Sequence, residues 1–476
     1  MAADFTVATT EGSWNLSENW SGCDSYLLIQ DLPKQNNSEF GYDYWDIDSD
    51  VTDLFANTPL NVHYFFMSTL ADEPDRLDAL DSFRALADTA MGLLPAEDQA
   101  ALEGRIHYVT ERAAEIGGWV GQIMISPGWG AAVDRLQKIR YIGSYADHAH
   151  YDAALAAQDK WPFGPNVALA ANEAIYYNFE AAREDRLNSQ DATVLQMWED
   201  IPVADDPDDE GHHFDVTFPD ASTMAGFDSM EFDLTLNCGG VGEFGECPAW
   251  DYNVYLLLCD DSDPTVCDYE VGHWITSYHR EGRWVHDVSG ILPIFAAGGD
   301  KRFKISISDP WYVTLSIRLF NQDKDPAPAE TIDLFAGDHH FGPDYNANYT
   351  PMTINIPADA VKVEIASAIT GHGMQSPGNC AEFCNTDHHF YVNGTDNVID
   401  FGDTIGDQYG CMAQIADGTV PNQYGTWWYG RGGWCPGKHV DLTMTDITEQ
   451  VNIGQDNTFD YDGFYYGTDY PTVDGW

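Results

Sequence analysis

Eight of the nine cysteines stand in the second half of the chain, each a short step from a neighbour in polar, Gly-rich or Asp-rich surroundings. Local pairing gives four disulfides, Cys238–Cys247, Cys259–Cys267, Cys380–Cys384 and Cys411–Cys435, and with them an oxidising compartment. Zinc is the rival reading, but no Cys-x-x-Cys pair exists and the spacings do not suit tetrahedral sites. Cys380 and Cys384 constrain the backbone most. Extended chain would hold their Cα atoms about 13 Å apart, beyond the ~7 Å a disulfide spans. The chain must therefore curl between them, with Glu382 at the tip. A carboxylate fixed on a stapled turn suits a functional site, although a plain disulfide loop with a solvated Glu reads the same way.

Composition narrows the function. Asp plus Glu number 78 against 21 Lys plus Arg, a formal net charge of −57. A surface of that sign repels phosphate, which excludes nucleic-acid or anionic-membrane binding as a main role. The acid is spread along the chain, as on a solvated surface tuned for solubility or salt, with Ca²⁺ binding by acidic loops a lesser reading. No apolar run reaches the ~18 residues of a membrane span. The start, MAADFTVATTEGSW, lacks the basic and apolar regions of a signal peptide and reads as a mature chain with an added Met. A secreted or periplasmic protein is expected.

At this length two or three domains are expected. Residues 1–200 have an α/β texture, with buried strands at 24–30 and 61–68, a further strand at 105–110 and helical patterns at 75–101 and 151–198. The segment 131–145 splits into two strands around a turn at Leu136–Gln137. A mixed or parallel sheet with helices packed on it follows. Residues 201–213, IPVADDPDDEGHH, have linker composition, and His212–His213 there reads as a solvated pair. From Phe214 onward short strands with turn punctuation follow one another without a long helix, the pattern of antiparallel sandwiches. The region is too long for one, so two are expected, over 214–328 and 329–476.

The paired strands of AVDRLQKIRYIG, with an Asp-Arg turn between them, resemble those of thioredoxin-like domains. A redox role needs a reactive thiol pair, whereas this half holds only Cys23, expected to be a buried free thiol. The fold is expected without oxidoreductase activity.

The second half resembles the peptide-N-glycosidase F family, secreted amidases that remove N-glycans. The resemblance runs from about Phe214 to the C-terminus. It rests on ECPAWDYNVYL (246–256), VGHWITSYHREGRWVHDVS (271–289), FKISISDPW (303–311), ITGHG…GNCAEFC (369–384), HHFYVNG (388–394) and GTWWYGRGGWCPG (425–437). It implies two jelly-roll sandwiches with the site in the cleft between them, acting on N-glycosylated proteins without metal or cofactor. The family's catalytic Asp matches Asp251, its active-site Glu matches Glu382, its sugar-contacting Arg matches Arg431, and a cleft-lining aromatic matches Trp311. Three positions depart from the family. Tyr252 replaces an Arg, a second Glu falls on Ser308 or Asp309, and His372 replaces a Trp.

Cleaving the amide between asparagine and N-acetylglucosamine needs a placed water, a base for it and stabilisation of charge on the amide oxygen. Two carboxylates with unlike environments supply the first two. Asp251 is the expected catalyst, Glu382 its partner from the opposite sandwich, and Asp309 a shorter substitute for the missing Glu. Arg431 offers a planar fork to two oxygens. Tyr252, His372, Trp311 and Trp434 complete the expected substrate-binding set, with Trp427 and Trp428 as further stacking candidates. Without the family, Asp251 reads as a turn residue and the tryptophans as core. The alternative is a non-catalytic glycan- or protein-binding module on the same scaffold. A minor alternative is a copper monooxygenase, raised by His339–His340 and His388–His389.

Overall fold

A computed structural model describes residues 1–31, 48–125, 129–144, 167–203, 212–239, 243, 247–337, 339–373 and 380–470. The N-terminal unit is a seven-stranded sheet of β1 (Thr6–Thr9), β2 (Gly12–Asn15), β3 (Ser25–Gln30), β4 (Val62–Met67), β5 (Ile106–Val109), β6 (Trp129–Val133) and β7 (Ile139–Ser144), in the order β2-β1-β5-β4-β3-β6-β7. Strands β3, β4 and β5 are mutually parallel, whereas β6 runs antiparallel to β3 and turns back as β7. All six residues of β3 are buried, as a strand covered on both faces requires. The β6–β7 turn falls at Leu136–Gln137. Gln137 takes φ 59°, and Asp134 Oδ1 accepts from the backbone N–H groups of Leu136 and Lys138. Helices α1 (Asp48–Asn57), α2 (Glu73–Met91) and α3 (Ala170–Ser189) cover the sheet. Cys23 is exposed, not buried, because it precedes β3 on the surface loop.

The all-β part begins earlier than composition suggests. β8 (Thr193–Val203) pairs antiparallel with β15 (Trp311–Phe320) from Thr193↔Leu319 to Val203↔Trp311. Met197, Trp198 and Val203 are buried there, and Pro202 is tolerated because β8 is an edge strand. The first domain therefore does not extend to residue 200, nor the linker back to 201. His212 is buried and His213, half-buried, opens β9 (His213–Phe218), so the pair is not a solvated linker pair.

The first sandwich stacks the sheet β13-β10-β15-β8 on the sheet β20-β12-β11-β14-β9. Its further strands are β10 (Ser229–Asn237), β11 (Asn253–Cys259), β12 (Cys267–Ile275), β13 (Gly282–Asp287), β14 (Gly299–Ile307) and β20 (Lys438–His439). The second has a four-stranded sheet of β16 (Met352–Asn355), β22 (Asp456–Tyr465), β18 (Thr386–Val392) and β19 (Thr395–Ile399). Its companion sheet pairs β17 (Glu364–Ala368) with β21 (Leu442–Asp446). The two sandwiches are stitched together. β20, late in the chain, pairs with β12 of the first sandwich, and Ile415, Val420, Trp427 and Trp428 pack into the first sandwich's core.

Three of the expected disulfides are present, Cys238–Cys247, Cys259–Cys267 and Cys411–Cys435. Cys384 is disulfide-bonded. The side chain of Cys380 lies outside the described residues.

Candidate active site

Asp251 lies just ahead of β11, on a turn that the Cys238–Cys247 bridge ties to the first sandwich. Thr276, one residue past β12, fixes that turn. Its hydroxyl donates to the Trp250 carbonyl at 2.8 Å and accepts from the Tyr252 N–H at 2.8 Å. Asp251 keeps one carboxylate oxygen for two partners from elsewhere. Tyr278 Oη donates to Oδ2 at 2.6 Å, and Arg431 Nη2 lies 3.8 Å from the same atom.

Glu382 comes from the second sandwich, on the one-turn helix α4 (Cys380–Phe383) that leads into β18. The expected curl is this helical turn. Its backbone carbonyl accepts from the Gly432 N–H at 3.0 Å, and its Oε1 faces the Gly373 N–H at 3.4 Å. The loops carrying His372, Glu382 and Arg431 are thereby laced into one wall. Burial pushes the Glu382 carboxyl up to about 7; Arg431 and the Gly373 N–H pull against this, and the Asp251 charge adds to it.

Arg431 is buried among partners that fix it. Its guanidinium donates to the Tyr429 carbonyl at 3.0 Å and to Thr426 Oγ1 at 3.3 Å, and stands 4.8 Å over the Trp434 ring and 5.2 Å over Phe383. His372 packs edge-on against Trp434 at 4.6 Å. Its Nε2 bonds the Asp251 carbonyl and its Nδ1 the Asn253 amide. Burial lowers its pKa from the usual range. His372 and Trp434 thus brace Asp251 and Arg431, and the Trp434 ring is itself buried under the guanidinium.

Asp251, Glu382, Arg431, His372 and Trp434 are brought together, and Tyr252 lies beside them, half-buried and within the field of both Asp309 and Asp251. Asp309 sits on the β14–β15 turn next to Tyr252, at the edge of the group. Trp311 does not line the cleft. It is 1% exposed, paired with Val203 of β8 in the first sandwich, so its ring belongs to the core. Trp427 and Trp428 are core as well. Sequence reading missed Tyr278, whose signal lies in the quoted SYHR run, and Trp250, which is 60% exposed directly before Asp251. A cavity of about 620 Å³ opens beside Arg431 and Trp434, lined also by Asp403, Asp407, Tyr409 and Lys438; neither Asp251 nor Glu382 lines it.

Among the described residues neither histidine pair falls in a group of three potential metal ligands. His388 is fully buried and bonds Tyr461 and Thr386, and His389 pairs with Asp396. Among the described residues the one grouping of potential metal ligands is His213 with Cys259 and Cys267, two cysteines bonded to each other.

Residues 343–473 match the family described as Peptide-N-glycosidase F, C terminal. That segment holds Glu382, Arg431, His372 and Trp434, and here the resemblance to the peptide-N-glycosidase F family stands. Solved structures similar to the chain include recombinant peptide:N-glycanase F (18% identity, 60% of this chain and 90% of that one, TM-score 0.43). PNGase F, a glycosylasparaginase from Flavobacterium meningosepticum, gives 16%, 60%, 89% and 0.42. PNGF-II gives 10%, 60%, 63% and 0.40. No curated protein matches the chain.

Proposed function

We propose that this protein is a peptide-N-glycosidase, hydrolysing the amide between asparagine and N-acetylglucosamine of N-glycosylated proteins. The observation that carries the reading is the convergence of two carboxylates from opposite sandwiches on one guanidinium. Asp251 stands 3.8 Å from Arg431, and Glu382 feels the charge of both. The two carboxyls differ in environment, as an acid–base pair requires. Asp251, held by Tyr278, takes a proton from the attacking water. Glu382, its proton retained up to about pH 7, donates toward the departing glycosylamine nitrogen. Arg431 faces the charge that builds on the amide oxygen. Water adds to the side-chain carbonyl carbon and the C–N bond breaks, leaving aspartate and a glycosylamine.

The two sandwiches read as jelly rolls of this family. The N-terminal unit reads as a thioredoxin-like domain without redox function. In support of that reading, its parallel β3–β4 pair is flanked by the antiparallel hairpin β6–β7, and its one described cysteine, Cys23, is free. The disulfides suit a secreted or periplasmic setting.

A binding module without turnover is the second reading, favoured by Tyr252 where the family has a cationic donor. One experiment separates the two. A denatured N-glycopeptide is incubated with the protein and with Asp251→Asn, and the peptide mass is read. Release of intact glycan with a gain of about 1 Da at asparagine (amide to acid), lost in the variant, carries the amidase reading. Binding without release carries the other.

A further inference from the structure

The N-terminal unit meets the site through buried charge. Glu173, on the first turn of α3, is fully buried and faces Arg280, also fully buried. Arg280 Nη1 and Nη2 donate to Glu173 Oε1 and Oε2, each at 2.8 Å. Arg280 also donates to the Pro421 carbonyl and, at 2.9 Å, to Glu243, which Arg140 of β7 grips from the other side. Asn422 joins the same cluster. Its Nδ2 donates to Glu173 Oε1 and to the Leu169 carbonyl at 2.8 Å, and its Oδ1 accepts from Asn172 at 3.0 Å.

Both partners of Glu173 stand beside the site. Arg280 lies two residues beyond Tyr278, and its carbonyl accepts from Ser277 Oγ. Asn422 precedes Gln423, whose Oε1 accepts the Tyr278 N–H at 2.9 Å. Gln423 further donates to the Val420 and Pro436 carbonyls. Two non-glycine residues in these turns take left-handed backbone, His279 at φ 54° and Asn422 at φ 49°. Such conformations persist where the surroundings over-determine them, and the Glu173 cluster supplies that restraint.

We propose, building on the amidase reading, that the N-terminal unit is an integral part of the catalytic centre, with Glu173 a positioning residue that fixes Tyr278, and through it Asp251, by way of Arg280 and Asn422. Removing Glu173 takes from Arg280 its bidentate partner and from Asn422 one of its two acceptors, and so loosens two turns at once. The substrate surface is untouched, so the loss falls on turnover and not on binding.

The test uses the full chain with Glu173→Ala, Glu173→Gln and Asn422→Gly, the last keeping the left-handed backbone accessible. Fold is checked by circular dichroism, glycopeptide cleavage by kcat and KM, and the two turns by hydrogen exchange. We expect kcat to fall roughly ten- to a hundredfold in Glu173→Ala, with KM within about twofold. Glu173→Gln, which still accepts hydrogen bonds, recovers part of the loss. Asn422→Gly lowers kcat in the same sense, and exchange rises at 276–281 and 420–426. A folded Glu173→Ala with the parent's kcat overturns the proposal. If that variant does not fold, an Asn422→Gly protein with unchanged kcat overturns it equally. A parent protein that cleaves no glycopeptide defeats the amidase reading alone; the exchange of the two turns still decides whether Glu173 holds them.

Discussion

Tyr278 Oη donates to Asp251 Oδ2 at 2.6 Å, and the same oxygen lies 3.8 Å from Arg431 Nη2. The phenol is buried, and its own ionisation is pushed up by burial and by the Asp251 charge, so it remains a donor. A neutral donor and a cation therefore share one oxygen of Asp251 and leave the other to bond water. Tyr278→Phe removes the donor with little change of volume. A hydrogen bond to a charged group is worth about 1.5–3 kcal/mol, so kcat should fall roughly ten- to a hundredfold while the melting temperature moves little. Steady-state kinetics on a glycopeptide decides it; an unchanged kcat removes Tyr278 from the site.

Glu382 sets the alkaline side of the pH profile. Its carboxyl is raised from 4.5 to about 7, chiefly by burial. It holds its proton in the folded protein over a range where the unfolded chain has lost it. Activity that needs the protonated form should decline as pH rises through about 7, and the stability this group contributes should fall over the same interval, from its full value below about pH 4.5. In Glu382→Gln the decline near 7 disappears from the profile, whatever activity is left. A decline that survives in the variant assigns it to another group.

Arg431→Lys should behave as a loss and not as a conservative change. The guanidinium reaches Tyr429 O, Thr426 Oγ1 and the Asp251 side at once while lying over Trp434. An ammonium reproduces the charge but not the fork or the stacking. We expect kcat/KM to drop about a hundredfold, with the Arg431→Lys protein still folded by circular dichroism. Retention of more than half the activity would contradict the assigned role.

The N-terminal unit carries its own acid sensitivity. His63 Nδ1 and His107 Nε2 lie 3.0 Å apart with stacked rings, packed against Trp14, Tyr26 and Phe65. Burial lowers each from 6.5 to about 4, with the neighbouring imidazole and Arg105 adding to the effect on His63. Both are neutral in the fold, so their contribution is present above about pH 6.5 and is lost as pH falls through about 4. Thermal melts between pH 7 and pH 4 should show a steep loss that His107→Phe, which removes one of the two charges, makes shallower. Equal slopes would clear the pair of that role.

How far the site was legible in the sequence follows from distance along the chain. Asp251, Glu382 and Arg431 each sit in a short run beside a cysteine, and the family resemblance of those runs, not local pattern alone, singled them out. Trp311 was misplaced because it pairs with Val203 at the end of β8, inside the stretch with linker composition. Tyr278 sits in a strand-end run like many others, and its role exists only once Gln423 and Asp251 meet it in space. The Glu173–Arg280 pair spans 107 positions and joins two domains. No periodicity records such a contact. Sheet spacing located the sandwiches, whereas their stitching by β20 reflects a two-residue strand too short to announce itself.

Trp250 is a further candidate for contact with substrate. Its ring is 60% exposed one residue before Asp251, while its backbone carbonyl is held by Thr276. Large exposed aromatics beside a carboxylate suit the apolar face of a sugar or the peptide flanking the glycosylated asparagine. Because the ring packs on little of the protein, Trp250→Ala should leave the melting temperature within about 1 °C. Stacking on an open face contributes about 1 kcal/mol, so KM should rise about fivefold with kcat nearly unchanged. Peptides trimmed to a single glycosylated asparagine should distinguish the two partners. If the KM penalty persists on that minimal substrate the ring meets the sugar, and if it vanishes the ring meets the peptide. A variant with unaltered KM on both substrates leaves Trp250 outside the site.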